Sequence, residues 1–439
     1  MAENTESSST DMQWFKNAKF GVFIHWGIFA VDGNGASWPI FNEKVSYEDY
    51  MKQAQNFTAT KYNPESWAKL FKEAGARYAV LTTKHHDGMA LWDTQVPTAG
   101  KILSVVKQTP AKRDLIKPFT EAIRKEGLKV GLYYSWLDWS NPDYAALGRW
   151  RASDHTPKDR SEETLARWKK FVRFDEAQLK ELTTRYKPDL LWFDGDWGID
   201  PDDWGMKSFR KKLKTWAPGV ILNSRMGGYG DYETPEQGVP FRNLGTPWEL
   251  CMTMGPGWGY NARVEENPKA QIPSRDLIQI LADCASMGGN LLLNVSPRPD
   301  GTIPEWQQER LHDIGRFLQQ NGEAVYGTLA GIHKNHYAGS STLSKDRKTL
   351  YLFVFSDPVN GLMLKGLQNN PKKISLLGDS SIQLKERQVG GADWNHIPPT
   401  RFIDFPKGVK IGLGRVVKIE LDQPIDLYKG KSGAIEQND

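Results

Sequence analysis

The run Asp189-Leu190-Leu191-Trp192-Phe193-Asp194-Gly195-Asp196-Trp197 carries four apolar residues onto a carboxylate, then a glycine, a second carboxylate and a tryptophan. Such a run reads as a buried strand. Parallel strands of α/β folds keep their chemistry at their C-terminal ends, where Asp194 falls. A carboxylate in that place can attack an electrophilic carbon or act as a base. The neighbouring indoles suit the apolar face of a sugar ring. A strand that ends in a helix-capping aspartate would show the same local pattern, so the other strand ends decide.

Those ends supply an unusual set. One apolar run stops in Phe23-Ile24-His25-Trp26-Gly27 and the next in Thr83-Lys84-His85-His86-Asp87-Gly88. A third stops in Tyr133-Tyr134-Ser135-Trp136, and a later one in Asn223-Ser224-Arg225, before the loop Asp231-Tyr232-Glu233-Thr234-Pro235-Glu236. Neutral imidazole both donates and accepts, which suits vicinal hydroxyls. A metal held by His85 and His86 is disfavoured, because adjacent strand residues point to opposite faces. Glycoside cleavage needs two carboxyl groups. Asp194 is one candidate, and Glu233, Glu236 and Glu249 are the candidates for the second.

Alternating elements must position these residues. Apolar strand segments at 20–25, 78–83, 129–134, 190–194, 220–224, 248–252 and 290–295 alternate with helical stretches at 64–74, 115–126, 164–186, 206–216, 274–286 and 304–321. This predicts a (β/α)8-like TIM barrel over residues 13–335. An open doubly wound sheet is the other arrangement of such units, but no G-x-G-x-x-G turn follows the first strand. Strand-like segments at 349–355, 373–377, 409–411 and 416–421 predict a C-terminal antiparallel β-sandwich over 336–439. Residues 1–12 are polar and expected to be a flexible N-terminal segment.

Composition narrows the function classes. The net charge of +4 is spread over 57 basic and 53 acidic residues, so nucleic acid and membrane surfaces are not expected partners. No apolar run has the length of a membrane span. The two cysteines, Cys251 and Cys284, are too few for a disulfide framework. The N-terminus lacks an apolar signal core; the expectation is a periplasmic or secreted protein whose export signal has been removed, or else a cytoplasmic one. The 17 Trp, 15 Tyr and 18 Phe exceed what one core uses and point to an aromatic-lined cleft.

Several of these pieces together resemble the retaining α-L-fucosidases of glycoside hydrolase family 29. They are Lys19-Phe20-Gly21 through His25-Trp26-Gly27, Thr82-Thr83-Lys84-His85-His86-Asp87-Gly88, Tyr133-Tyr134-Ser135, Leu191-Trp192-Phe193-Asp194-Gly195, Trp248-Glu249, Trp258-Gly259-Tyr260-Asn261 and Asn290-Leu291-Leu292-Leu293-Asn294. The resemblance implies a catalytic barrel followed by a β-sandwich, with no metal or organic cofactor. It implies Asp194 as nucleophile, and His25, His85, His86 and Arg225 on the sugar hydroxyls. Tyr133, Trp192 and Trp258 would wall the C6 methyl group, and Trp38 joins the sugar-binding set. The Thr-Pro-Glu loop gives Glu236 as acid/base, with Glu249 as the other candidate. One departure stands out: many members carry Glu-Trp in the loop after the first strand, where this chain has Ser37-Trp38.

The expected activity is exo-acting, retaining hydrolysis of terminal α-L-fucosyl residues from fucosylated oligosaccharides or glycoconjugates. A fucose-binding protein with weak or no catalysis, and a retaining glycosidase for a related sugar, are the other readings.

Overall fold

The computed structural model describes residues 12–155, 158–379 and 381–430, so the expected flexible segment lies outside the described residues except for Met12. Seven parallel strands form one sheet: β1 (Phe20–Ile24), β2 (Tyr78–Lys84), β3 (Lys129–Ser135), β4 (Leu190–Asp194), β5 (Ile221–Leu222), β6 (Glu249–Thr253) and β7 (Asn290–Val295). Their order is β5-β4-β3-β2-β1-β7-β6. The sheet curls, because Tyr78 on β2 reaches across its concave side to donate to Glu249 on β6.

The strands are apolar on both faces because each face has its own core. Residues alternating along β1 to β4, such as Val22, Ile24, Leu132, Leu191 and Phe193, face the crossover helices. The principal helices are α1 (Pro64–Glu73), α2 (Ile116–Lys125), α3 (Glu162–Tyr186), α4 (Met206–Trp216), α5 (Ser274–Ser286) and α6 (Glu305–Asn321). The intervening residues Phe23, Tyr78, Val80, Tyr133, Leu190 and Trp192 meet inside the curl, with Phe15 and Met12 below them. A Cβ at Gly21 would stand 2.5 Å from the Tyr78 ring, so only glycine lets that ring lie across β1.

The predicted strand at 220–224 keeps only Ile221 and Leu222 as regular ladder. Asp231 ends it: its carboxylate accepts from the Leu222 N–H at 2.9 Å, and its own N–H donates to the Leu222 carbonyl at 2.6 Å. The segment 232–236 then crosses from β5 to β6 through parallel bridges, Asn223 to Tyr232, Glu233 to Trp248 and Glu236 to Cys251. It thereby spans the two free edges of the seven-stranded sheet.

The C-terminal chain forms two antiparallel sheets. One has the order β12-β15-β10-β9-β8, built from β8 (Leu329–Ala330), β9 (Ser341–Leu343), β10 (Thr349–Val354), β12 (Pro371–Leu376) and β15 (Arg415–Leu421). The other has the order β11-β14-β13, from β11 (Leu362–Leu364), β13 (Lys385–Val389) and β14 (Thr400–Asp404). Leu350, Leu352, Leu364, Ile403, Val417 and Ile419 share one core between them. The opposite face of β10 carries Tyr351 and Phe353 into the core of the helical layer. The strand expected at 409–411 is irregular: the Val409 N–H turns back onto the Pro406 carbonyl, and glycines at 408, 412 and 414 flank it.

Candidate active site

Strand alternation sets the site. Because Leu190 and Trp192 face inward on β4, so does Asp194 at its C-terminal end. Gly195 follows at φ 89°, a turn that an L-residue resists and that a Cβ would block against Leu137. Asn223 clamps the same strand end, its side chain accepting from the Phe193 N–H at 2.8 Å and donating to the Phe193 carbonyl at 2.9 Å. The carboxylate is thus held on a fixed backbone.

Asp194 is 9% exposed, and each of its oxygens accepts a hydrogen bond. Arg225 Nη1 donates to Oδ1 at 2.8 Å and the Tyr133 hydroxyl to Oδ2 at 2.9 Å. Burial opposes its ionisation, but the Arg225 charge and these hydrogen bonds outweigh that and hold the carboxyl below its usual value. The other arm of the guanidinium, Nη2, donates to Glu236 Oε2 at 2.7 Å, and Nε donates to Thr234 Oγ1 at 3.1 Å. One arginine therefore ties the deep carboxylate to the rim carboxylate.

Aromatic rings close the floor and one wall. Trp192 stacks on Tyr133 with centroids 5.7 Å apart, and the Arg225 guanidinium lies 4.7 Å over the indole. Phe23 packs on Trp192 at 4.9 Å, and Trp258 on His25 at 4.8 Å. Trp38 meets His86 at 5.2 Å on the opposite side.

The three mouth histidines are buried. Desolvation pulls the His25 and His86 imidazoles down to about 4 and His85 well below its usual value, so all are neutral near pH 7. His86 Nε2 lies 3.7 Å from Asp194 Oδ2. The face-alternation argument against a His85–His86 pair does not hold, because β2 ends at Lys84 and both rings lie beyond it, 4.1 Å apart. Among the described residues no group of three or more His, Cys, Asp or Glu is arranged to hold a metal ion.

The structure thus gathers Asp194, Glu236, Arg225, Tyr133, Trp192, Trp258, Trp38, His25, His85 and His86 at one mouth. Glu233 lies instead along an open groove beside it, with Thr234, Pro235 and Leu244. Trp248 does not enter the mouth; it packs in the helical layer, against Gly289. Glu249, at the opposite end of its strand from the mouth, is fully buried beneath Trp192. Among the described residues no arginine bonds it. It accepts from the Trp192 indole at 2.9 Å and from Tyr78. Ser37, which stood out as a departure from the family pattern, bonds His85. Asn294 and Ser135, which bond His25 and His86, and Tyr50 and Asp87, which stand behind Ser37, were not among the sequence candidates, because their partners are set by the fold and not by local spacing.

Burial raises the Glu249 carboxyl from 4.5 to about 7, against the pull of Tyr78 and Trp192. Its stabilising contribution is complete below pH 4.5 and is lost as pH climbs through about 7. Glu249→Gln keeps an acceptor for the indole, because Tyr78 can rotate to accept from the amide. This variant is expected to retain most activity and to lose that slope relative to wild type in denaturant titrations across pH. Glu249→Ala strands both donors and is expected to cost roughly 2–5 kcal/mol of stability.

Known proteins share this sequence pattern and this fold. A family profile described as Alpha-L-fucosidase matches residues 1–323. The tissue alpha-L-fucosidase of Bos taurus is 36% identical over 342 residues, covering 72% of this chain and 69% of the relative. Alpha-L-fucosidase isoenzyme 1 from Paenibacillus thiaminolyticus superposes with a TM-score of 0.82 at 31% identity, over 94% of this chain and 99% of that one. A glycoside hydrolase family 29 alpha-L-fucosidase from Bacteroides thetaiotaomicron, solved as a trapped covalent intermediate in complex with 2-fluoro-fucosyl fluoride, gives 0.80 at 27% identity, over 95% and 97%. This chain belongs to the α-L-fucosidases of glycoside hydrolase family 29.

Proposed function

We propose that this retaining α-L-fucosidase uses Asp194 as nucleophile and Glu236 as acid/base. In the first step an Asp194 oxygen attacks the anomeric carbon as the glycosidic bond breaks, and Glu236 gives its proton to the departing oxygen. In the second, Glu236 takes a proton from water, which attacks the same carbon and releases Asp194. Two inversions return the starting anomeric configuration. The observation that carries the assignment is the Arg225 bridge, with one guanidinium bonding both carboxylates at 2.8 and 2.7 Å. Bonding to one guanidinium draws the two carboxylates together, in keeping with the short separation of about 5–5.5 Å that covalent catalysis uses.

The barrel reading extends to the scaffold: the segment 232–236 serves as an irregular eighth strand of a (β/α)8 barrel, and the two C-terminal sheets as a β-sandwich. Trp192, Tyr133 and Trp258 form the wall against which a C6 methyl group would lie. A hydroxyl added at C6 would lose water there without gaining a partner. An aryl α-L-fucoside is therefore expected to exceed the matching α-L-galactoside by about 100-fold in kcat/KM. Proton NMR of the reaction should show the α anomer of fucose first. Release of the β anomer first, or no turnover at all, would sink the proposal.

A further inference from the structure

Each mouth histidine has its Nδ1 against a partner whose own bonding fixes the direction of the hydrogen bond. Asn294 donates from Nδ2 to the Trp258 carbonyl at 2.8 Å, so its Oδ1 accepts from His25 Nδ1 at 2.7 Å. Ser135 donates to the Leu137 carbonyl at 2.8 Å, which leaves its lone pairs for His86 Nδ1 at 2.6 Å. The partner of His85 is the Ser37 hydroxyl at 2.6 Å, which could run either way.

Asp87 decides the direction. Ser37 Oγ donates to its Oδ2 at 3.3 Å, the Tyr50 hydroxyl donates to the same oxygen at 2.8 Å, and the Met89 N–H donates to Oδ1 at 2.9 Å. An ionised carboxylate only accepts. The single Ser37 proton is then committed to Asp87, and Ser37 must accept from His85. Ser37, Asp87 and Tyr50 are 0, 2 and 3% exposed, so water offers them little competition.

We propose that Tyr50, Asp87 and Ser37 form a relay of positioning residues that keeps His85 protonated on Nδ1 and turns its Nε2 lone pair toward a sugar hydroxyl. The proposal rests on the fucoside-hydrolysing reading of this mouth and adds to it a rule of recognition. With all three imidazoles held as Nδ1–H, the mouth offers three ring acceptors and calls for hydroxyl donors. A sugar whose hydroxyl is capped by a methyl or sulfate group brings no proton to such an acceptor. A carboxylate at position 37 would hold His85 directly, whereas a serine does so only with Asp87 behind it.

Burial pushes the Asp87 carboxyl up to about 6, so the test is run at pH 8, where it is ionised. Long-range proton–nitrogen spectra of enzyme labelled on its eight histidines report which ring nitrogen carries the proton, with no sugar present. Wild-type His85 should show Nδ1–H. In Asp87→Asn the new amide donates to Ser37, which must then donate to His85, so the proton should move to Nε2. His25 and His86, on separate partners, should keep their signals and report that the fold is intact. Ser37→Ala should leave His85 as a mixture of tautomers. Both variants should lower kcat/KM on an aryl α-L-fucoside by about 10- to 100-fold, chiefly through KM. His85 protonated on Nε2 in the wild type, or unchanged in both variants, overturns the relay. Wild-type turnover of the fucoside is measured separately, so loss of the activity reading and loss of the relay are told apart.

Discussion

Asp194→Ala is expected to lower kcat on an aryl α-L-fucoside by at least about 10,000-fold while thermal unfolding stays close to wild type. The size follows from removing the atom that forms the covalent bond, which leaves only binding and electrostatics. The fold is expected to survive because Phe193 and Trp192 keep their packing and the Asn223 clamp holds the strand by its backbone. Removal of the carboxylate also leaves room above the floor of the mouth. Azide entering that space attacks from the side Asp194 occupied, so rescue should give β-L-fucosyl azide by single inversion. Near-normal activity without azide, or an α-configured azide product, would show that another group is the nucleophile.

Glu236→Ala should separate the two steps. Loss of the proton donor is expected to slow hydrolysis of a fucosyl oligosaccharide by about 100- to 10,000-fold. A dinitrophenyl fucoside, whose leaving group needs no proton, should still form the covalent intermediate quickly and then stall. A burst of dinitrophenol followed by a slow steady state is the signature. Azide needs no general base and here attacks from the side Glu236 occupied, so rescue should give α-L-fucosyl azide. An equal loss on both substrates with no burst would move the acid/base role elsewhere. The same pair of measurements on Glu249→Gln serves as a control, because that residue is fully buried beneath Trp192.

The regular strands were legible because their inward and outward faces are both apolar. Leu190–Asp194 and Asn290–Val295 were read with the bounds the structure shows. Where side chains replace the ladder, periodicity is silent: Asp231 and Asn223 shorten β5 to two residues, and no hydropathy pattern reports that. Strand β13 reads Lys-Glu-Arg-Gln-Val and is exposed throughout, so no apolar face marks it. The histidines were visible as residues at strand ends, but their orientation was not. Both His85 and His86 lie past the last paired residue, where strand alternation no longer governs direction. The mouth histidines' partners sit up to 269 positions away, as Asn294 does from His25, and only the pairing of β1 with β7 brings those two together.

The bridging segment 232–236 divides the labour of the site between two kinds of backbone. The groups proposed to grip the sugar include Asp194 and Tyr133, which stand on strands locked into the parallel ladder. Glu236 hangs on a short stretch held by isolated bridges, and a loop with exposed Phe241 and Leu244 follows it. With Glu236 as the proposed acid/base, insertions or deletions after residue 237 are expected to reshape its surroundings while leaving the ladder beneath Asp194 untouched. On that proposal, the glycan that is trimmed can change without a change in the sugar that is removed. On the proposed assignment, specificity for the monosaccharide and specificity for the linkage rest on separate backbone, and laboratory libraries aimed at new linkages belong in 238–247.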